Sequence, residues 1–430
     1  MKEIDKDSKN GLRGKFQSTR VLSWVVSLMV AVGSVVVLIP RIQEPFWGHH
    51  EFNGVFYGTI AKNYVHYGLE LTQGAQIVNY VEAAKEDWSL HLRHPATYPL
   101  VLASWGLLFG FSEMALRGLS VLASILGMVS LAGLNRSVFK SVWASLAVVP
   151  MLVTPLFLYY GSLPVFEPIL FPIITLGLWS YWSKRERKID LLTPLLCGLA
   201  VFVDWPGFWL GFWLLVWEIF RKKRSGVIIG IGVSLLISIA IIFGHQWLLT
   251  GSMASLGEAL VDRSSFGREP FTYSEWIQTL VSRTKAFWGL PILIGVGVGF
   301  GWKLRTRDES SELLIVGLLI GLSHIFVFRT ITWYHDYMLY HLLPFVGLGL
   351  GSLISVLEVK IKGWWIGLLI IVLTGTTFWM TNPFFIALSS VQPHRDCVES
   401  GLQQRGQREL RLPSRESNCG TFAGYYSLED

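Results

Sequence analysis

A few short stretches of this chain hold residue types that can do chemistry. The first is Phe46-Trp47-Gly48-His49-His50-Glu51-Phe52-Asn53. A carboxylate beside imidazoles can take a proton from an attacking hydroxyl. From Phe52 the pattern Phe52, Val55, Phe56, Ile60, Tyr64 follows helical spacing, so Glu51 stands where an amphipathic helix begins. A helix N-terminus favours the ionised carboxylate. The plainer reading of the same position is a first-turn acid that only caps. Glu167 sits in the proline-stiffened turn Tyr159 to Pro168, where it can support a site, touch a sugar, or simply face water. Asp204, in Asp204-Trp205-Pro206-Gly207, interrupts an apolar run. Acids at membrane depth are functional candidates by default, although Asp just before Pro is also a helix-start signal.

Trp333-Tyr334-His335-Asp336-Tyr337-Met338-Leu339-Tyr340-His341 opens another apolar run. An interfacial aromatic belt explains its Trp and Tyr residues, but not two His and an Asp. His49, His50, Glu51, His335 and Asp336 are metal-ligand types, yet their spacing is no metal signature. The sequence requires no cofactor and leaves room for a divalent metal ion. Arg263, Arg268, Arg283 and Lys285 lie on a second polar loop. They can meet a phosphate or stand as free surface charges.

The elements that must position these residues are membrane helices. Hydrophobic residues make up 52% of the chain and charged residues 15%, and the mean hydropathy is +0.47. Apolar runs near the roughly 20 residues needed to cross a core about 30 Å thick recur from end to end. The expected fold is an all-α polytopic membrane protein with about eleven crossings and amphipathic surface helices. The net charge of +6 comes from short basic clusters beside apolar runs, so it points to topology and not to nucleic acid.

Those clusters (Arg136 and Lys140; Lys184 to Lys188; Arg221 to Arg224; Lys303 to Arg307; Lys360 and Lys362) all fall on one side of the expected path. By the positive-inside rule that side is cytoplasmic. Residues 1–20 form a cytoplasmic segment, 21–380 the transmembrane domain with outer loops 41–97 and 250–285, and 381–430 an outer tail. Residues 21–40 read as a retained signal anchor, 98–111 as a short apolar helix, and 141–158 and 169–183 as spans. The run 191–220 reads as a hairpin broken at Asp204-Trp205-Pro206-Gly207. Such irregular backbone is tolerated only where it lines a cavity or is buried in protein. Cys397 and Cys419 share the outer tail and can pair, while Cys197 lies inert in an apolar run. The glycine repeats at 295–301 and 347–351 are helix-packing surfaces and not nucleotide loops.

Residues 47–170 resemble the GT-C membrane glycosyltransferases, in the branch of aminoarabinose transferases and protein O-mannosyltransferases. The resemblance lies in an acid opening an outer-surface helix, Glu51 to Gly68, and in His94-Pro95-Ala96-Thr97-Tyr98-Pro99-Leu100. Phe109-Gly110, Glu113-Met114-Ala115-Leu116-Arg117 and the acid at Glu167 extend it. Two departures accompany it. Asp204-Trp205-Pro206-Gly207 stands where many members have a Lys-Gly-Pro type of tip, and the tail 381–430 stands where members often carry a large outer domain.

The resemblance implies sugar transfer from a polyprenyl-phosphate carrier to a lipid, glycan or protein acceptor, at the outer face of the cytoplasmic membrane. It implies Glu51 as the general base, with inversion at the sugar, and Glu167 as the second acid. Substrate contacts are expected from His50, His94, Tyr98, Asp204, Arg263, Arg268, His335, Asp336 and Tyr337. The competing class is a transporter or lipid flippase. It calls for acids deep in mid-membrane and matching broken helices in two halves, whereas here a single broken run is visible and the acids gather at one face.

Overall fold

The computed structural model describes residues 4–80, 83–187, 189–222, 224–264, 269–393 and 395–396, with side chains from residue 21 onward. It is a helical bundle; among the described residues the only β pairing is one isolated bridge between Ile77 and Leu90. Helix α1 (Ile4–Leu38) leads into the first long loop, which carries α2 (Phe52–Thr72) and ends at α3 (Thr97–Phe109). Ser112 then caps α4 (Glu113–Phe139) by accepting from the Ala115 N–H.

The stretch expected as a single span at 141–158 is broken into α5 (Val142–Leu146), a 3-10 turn (Val149–Val153) and α6 (Pro155–Tyr160). The reason is in its sequence. Pro150 and Pro155 each remove a backbone donor and start a new segment. Helix α7 (Phe166–Ser183) packs on α4, where Gly127 and Gly133 make room for Phe171 and Trp179.

The broken hairpin is present as read: α8 (Leu192–Val203), a 3-10 turn (Trp205–Gly207) and α9 (Phe208–Arg221). At Gly207 a Cβ would lie 2.1 Å from the Ala200 carbonyl oxygen, so only glycine allows the chain to fold back there. After α10 (Ser225–Thr250), residues 250–285 are not the loop expected. They hold α11 (Ala254–Ser264) and the first turns of α12 (Tyr273–Thr306), which a Thr272–Glu275 capping box starts early. Helix α12 kinks at Gly289, whose φ is +71°.

The rest is α13 (Glu309–Val327), α14 (Arg329–Tyr334), a 3-10 turn (Asp336–Leu342), α15 (Leu343–Glu358) and α16 (Gly363–Ser390). Among the described residues, seven helical segments are long and apolar enough to cross a membrane. The other apolar stretches are shorter or interrupted. Large apolar side chains stand outward on α1, α10, α12 and α16, as a bilayer requires. Cys397, Cys419 and Arg268 lie outside the described residues; Cys197 is a free, buried thiol in α8.

The glycine repeats do the packing expected of them. Gly299 on α12 meets Gly349 on α15, and the Ser352 hydroxyl donates to the Gly299 carbonyl at 2.8 Å. A Cβ at Gly299 would sit 2.1 Å from the Gly349 oxygen, whereas one at Gly301 would meet nothing. Gly299→Ala is therefore expected to destabilise by about 1–3 kcal/mol through overpacking, and Gly301→Ala to be neutral. Thermal unfolding in detergent checks this, and equal behaviour of the two variants would contradict it.

Candidate active site

The polar loops meet at one end of the bundle. Three clusters form there. The first surrounds Glu51, which is 0% exposed. Its Oε1 accepts from Arg41 Nη2 at 2.6 Å and from Arg117 Nη2 at 2.8 Å, and its Oε2 accepts from the Gly48 N–H at 2.7 Å. Arg117 also donates to the Glu44 and Pro45 carbonyls, and the Arg41 guanidinium lies 3.7 Å over the Tyr159 ring. Glu51 does precede helix α2, but its side chain makes no capping bond. This carboxylate is enclosed, with both oxygens engaged. What holds it is a pair of arginines, one 10 residues away in sequence and the other 66.

The second cluster gathers His49, His50 and Asp336. His49 Nε2 lies 3.3 Å from Asp336 Oδ2 and His50 Nε2 lies 3.4 Å from Asp336 Oδ1, and one ligand atom from each of the three falls within 4.8 Å of the others. Tyr160 donates to Asp336 at 2.5 Å, and the Tyr159 hydroxyl donates to the His49 carbonyl at 3.0 Å. His50 adopts φ +59°, a left-handed conformation uncommon outside glycine. His335 and Tyr337 place their rings 5.1 Å from the His50 ring, and Asn53 reaches the Tyr337 hydroxyl at 3.5 Å. Burial pushes the His335 imidazole down to about 3, so it is neutral. Of the five expected metal-ligand residues, the structure brings three together; Glu51 turns to its arginines, and His335 sets its ring at a tilt beside His50.

The third cluster joins the loop to the broken tip. His94 Nδ1 and Asp204 Oδ1 are 2.6 Å apart, and Arg263 from α11 donates to His94 Nε2. The His94 ring stacks on Phe166 at 4.5 Å. Trp205 Nε1 donates to the Arg93 carbonyl, and Gln76 Nε2 donates to the His94 carbonyl. Asp204 thus spends its side chain on His94 and not on capping. Burial first, and then the Arg263 cation, hold the His94 imidazole below its ordinary value.

Arg263 also lines an apolar cleft of about 460 Å³ with Trp205, Phe208, Trp209, Phe243 and Phe328. Glu167 is buried at the start of α7 with neither carboxylate oxygen hydrogen-bonded, 4.0 Å from His341. Tyr98 is buried against Tyr57 and Phe166, where it supports the His94 stack. Arg283 donates to the Thr332 carbonyl and so serves the scaffold.

Sequence reasoning passed over Arg41 as a functional partner and quoted Arg117 only within a motif. A signal was present for both. Arg117 is an ionisable residue inside an apolar helix, and Arg41 is a cation at the wrong end of the first span for the positive-inside rule.

No protein-family model matches the chain, and no curated protein matches it in sequence. Its three-dimensional structure is similar to that of ArnT from Cupriavidus metallidurans in the apo state, with 14% identity and a TM-score of 0.62 over 94% of this chain and 84% of that one. The same ArnT bound to undecaprenyl phosphate gives a TM-score of 0.61, at 14% identity over 95% of this chain and 84% of that one. The Archaeoglobus fulgidus oligosaccharyltransferase matches with 12% identity and a TM-score of 0.61, over 94% of this chain and 64% of that one. The chain therefore has the fold of the GT-C membrane glycosyltransferases and is a multi-pass membrane protein.

Replacing Glu51 by Gln leaves the buried Arg117 guanidinium without its counter-charge and Arg41 with only the part-exposed Glu44. Such a loss is expected to destabilise by roughly 3–5 kcal/mol. Thermal unfolding of the purified variant measures it. An unchanged transition would show that the triad does not anchor the loop.

Proposed function

We propose that the protein is a glycosyltransferase that moves a sugar from a polyprenyl-phosphate carrier to an acceptor hydroxyl at the outer face of the cytoplasmic membrane. The observation that carries this reading is the apolar, aromatic-walled cleft that ends on Arg263. A prenyl chain suits its wall, and a guanidinium suits a phosphate. The fold supports it. ArnT from Cupriavidus metallidurans has been seen with undecaprenyl phosphate, and the archaeal oligosaccharyltransferase with a dolichol-phosphate and an inhibitory peptide. The acceptor is a hydroxyl of a lipid, glycan or protein. Its oxygen attacks the anomeric carbon while the bond to the carrier phosphate breaks, and one such displacement inverts the anomeric configuration. Arg263 offsets the charge that grows on the leaving phosphate. Glu51 holds the loop in place and leaves the proton to another group.

His49, His50 and Asp336 fit a divalent ion, because two imidazoles and a carboxylate converge with one ligand atom each within 4.8 Å of the others. A resident ion there would act as a Lewis acid toward phosphate oxygen. The archaeal oligosaccharyltransferase has been seen in complex with Zn and sulfate. Equilibrium dialysis with zinc is expected to show one bound ion, with affinity lowered at least about tenfold in Asp336→Asn. Equal affinity in both proteins would remove the site.

The direct test supplies purified protein with polyprenyl-phosphate sugars and, separately, with nucleotide sugars, and identifies products and retained lipid by mass spectrometry. Transfer from the lipid donor is expected. Arg263→Gln is expected to weaken retention of the carrier phosphate by roughly tenfold or more, the worth of one charge-assisted hydrogen bond. Transfer from a nucleotide sugar with no lipid present would overturn the reading, as would coupled solute uptake into liposomes with no glycosyl product.

A further inference from the structure

On the carrier-lipid reading, on which this step rests, we propose that His94 is the general base of the transfer. Asp204 orients it, Arg263 masks it in the resting protein, and an arriving carrier phosphate unmasks it by drawing Arg263 away.

The geometry fixes the tautomer. A guanidinium can only donate. Arg263 faces His94 Nε2, so Nε2 is the accepting nitrogen, and the Nδ1 proton points to Asp204 Oδ1 at 2.6 Å. The ring is therefore neutral, with its basic nitrogen turned away from the carboxylate that steadies it. This is the arrangement that lets a histidine accept a proton and then be stabilised as an imidazolium. The low proton affinity set by burial and by Arg263 keeps it unprotonated until needed.

Its position suits the role as well. Arg263 borders the apolar cleft, whereas His94 borders a different cavity of about 380 Å³, between the end of α2, the start of α3 and α10. Gln76 and His91 line that second cavity, and Gln76 Oε1 and His91 Nε2 are buried without a hydrogen-bond partner. Unsatisfied polar atoms of this kind are what a hydroxyl-bearing acceptor would satisfy. The His94–Arg263 contact is thus a partition, with the carrier on one side and the acceptor on the other.

The other acids are less suited. Glu51 is caged by two arginines, and Asp336 is engaged by Tyr160, His49 and His50. Glu167 borders neither cavity. The step balances. The acceptor O–H proton passes to His94 Nε2, the oxygen forms the bond to the anomeric carbon, and the electron pair of the old bond leaves on the carrier phosphate.

The charged and titratable groups around His94 are Asp204 on the tip, Arg263 on α11, Arg93 and His91 on the loop, His324 on α13, and Glu167 on α7, beside Phe166. The cation of Arg263 lowers the proton affinity of His94 and the carboxylate of Asp204 raises it. The kcat/KM profile reports the free enzyme. Its acid limb should therefore move to higher pH in Arg263→Gln and to lower pH in Asp204→Asn. His94→Gln should lower kcat by about 100-fold or more, while retention of carrier phosphate stays within roughly threefold. A purely structural role would lower the rate without these opposed shifts. More than about a tenth of wild-type kcat in His94→Gln, or a stationary acid limb in both other variants, would overturn the proposal. Failure of the wild type to transfer from any polyprenyl-phosphate sugar would overturn the carrier-lipid reading instead, and shows in the wild-type arm alone.

Discussion

The buried triad Arg41–Glu51–Arg117 is the contact on which the site depends. It joins three separate elements: the end of the first membrane helix, the start of the long loop and the first turns of α4. Two buried cations and one buried anion carry a large desolvation cost. Their hydrogen bonds offset it, because Arg117 also binds two loop carbonyls, and Gly48 donates to the second oxygen of Glu51. The net contribution to stability is modest, but the geometry it enforces is specific. Beside the fixed Glu51, His49 and His50 meet Asp336. Tyr159 reinforces this by covering Arg41 and binding the His49 carbonyl.

The two ends of the bundle have different chemistry. At the site end, backbone leaves regular helix at residues 39–51, 204–207 and 335–342. The break at 335–342 is mostly buried and the one at 204–207 borders a cavity, where side chains replace the water that exposed polar groups would need. At the opposite end, basic residues pair with acids on neighbouring helices, as in Arg185 and Arg221 with Glu309, and Arg224 with Glu218. Those pairs tie helices together and leave no comparable convergence of histidine and carboxylate among the described residues.

Much of this was legible in the sequence. Helical membrane architecture followed from hydropathy, and the broken tip from Asp204-Trp205-Pro206-Gly207 within an apolar run. Glycine repeats read as packing surfaces are packing surfaces. The residues that meet at the site were mostly named, because imidazoles and carboxylates are rare in apolar surroundings. What could not be read was partnership. Glu51 and Arg117 stand 66 residues apart in sequence, and His94 and Asp204 stand 110 apart. No local pattern says that Glu51 faces two arginines while Asp336 faces two histidines. Residues 141–158 misled for another reason. Average hydropathy outweighed two prolines that divide the stretch into three short pieces.

A structure of the protein in lipid nanodiscs with a polyprenyl phosphate added tests the central claim most directly. The account predicts the prenyl chain in the cleft between Trp205, Phe208 and Phe243, with the phosphate on Arg263 and the Arg263–His94 contact broken. A phosphate bound at the opposite, basic end of the bundle, with the cleft empty, would contradict it.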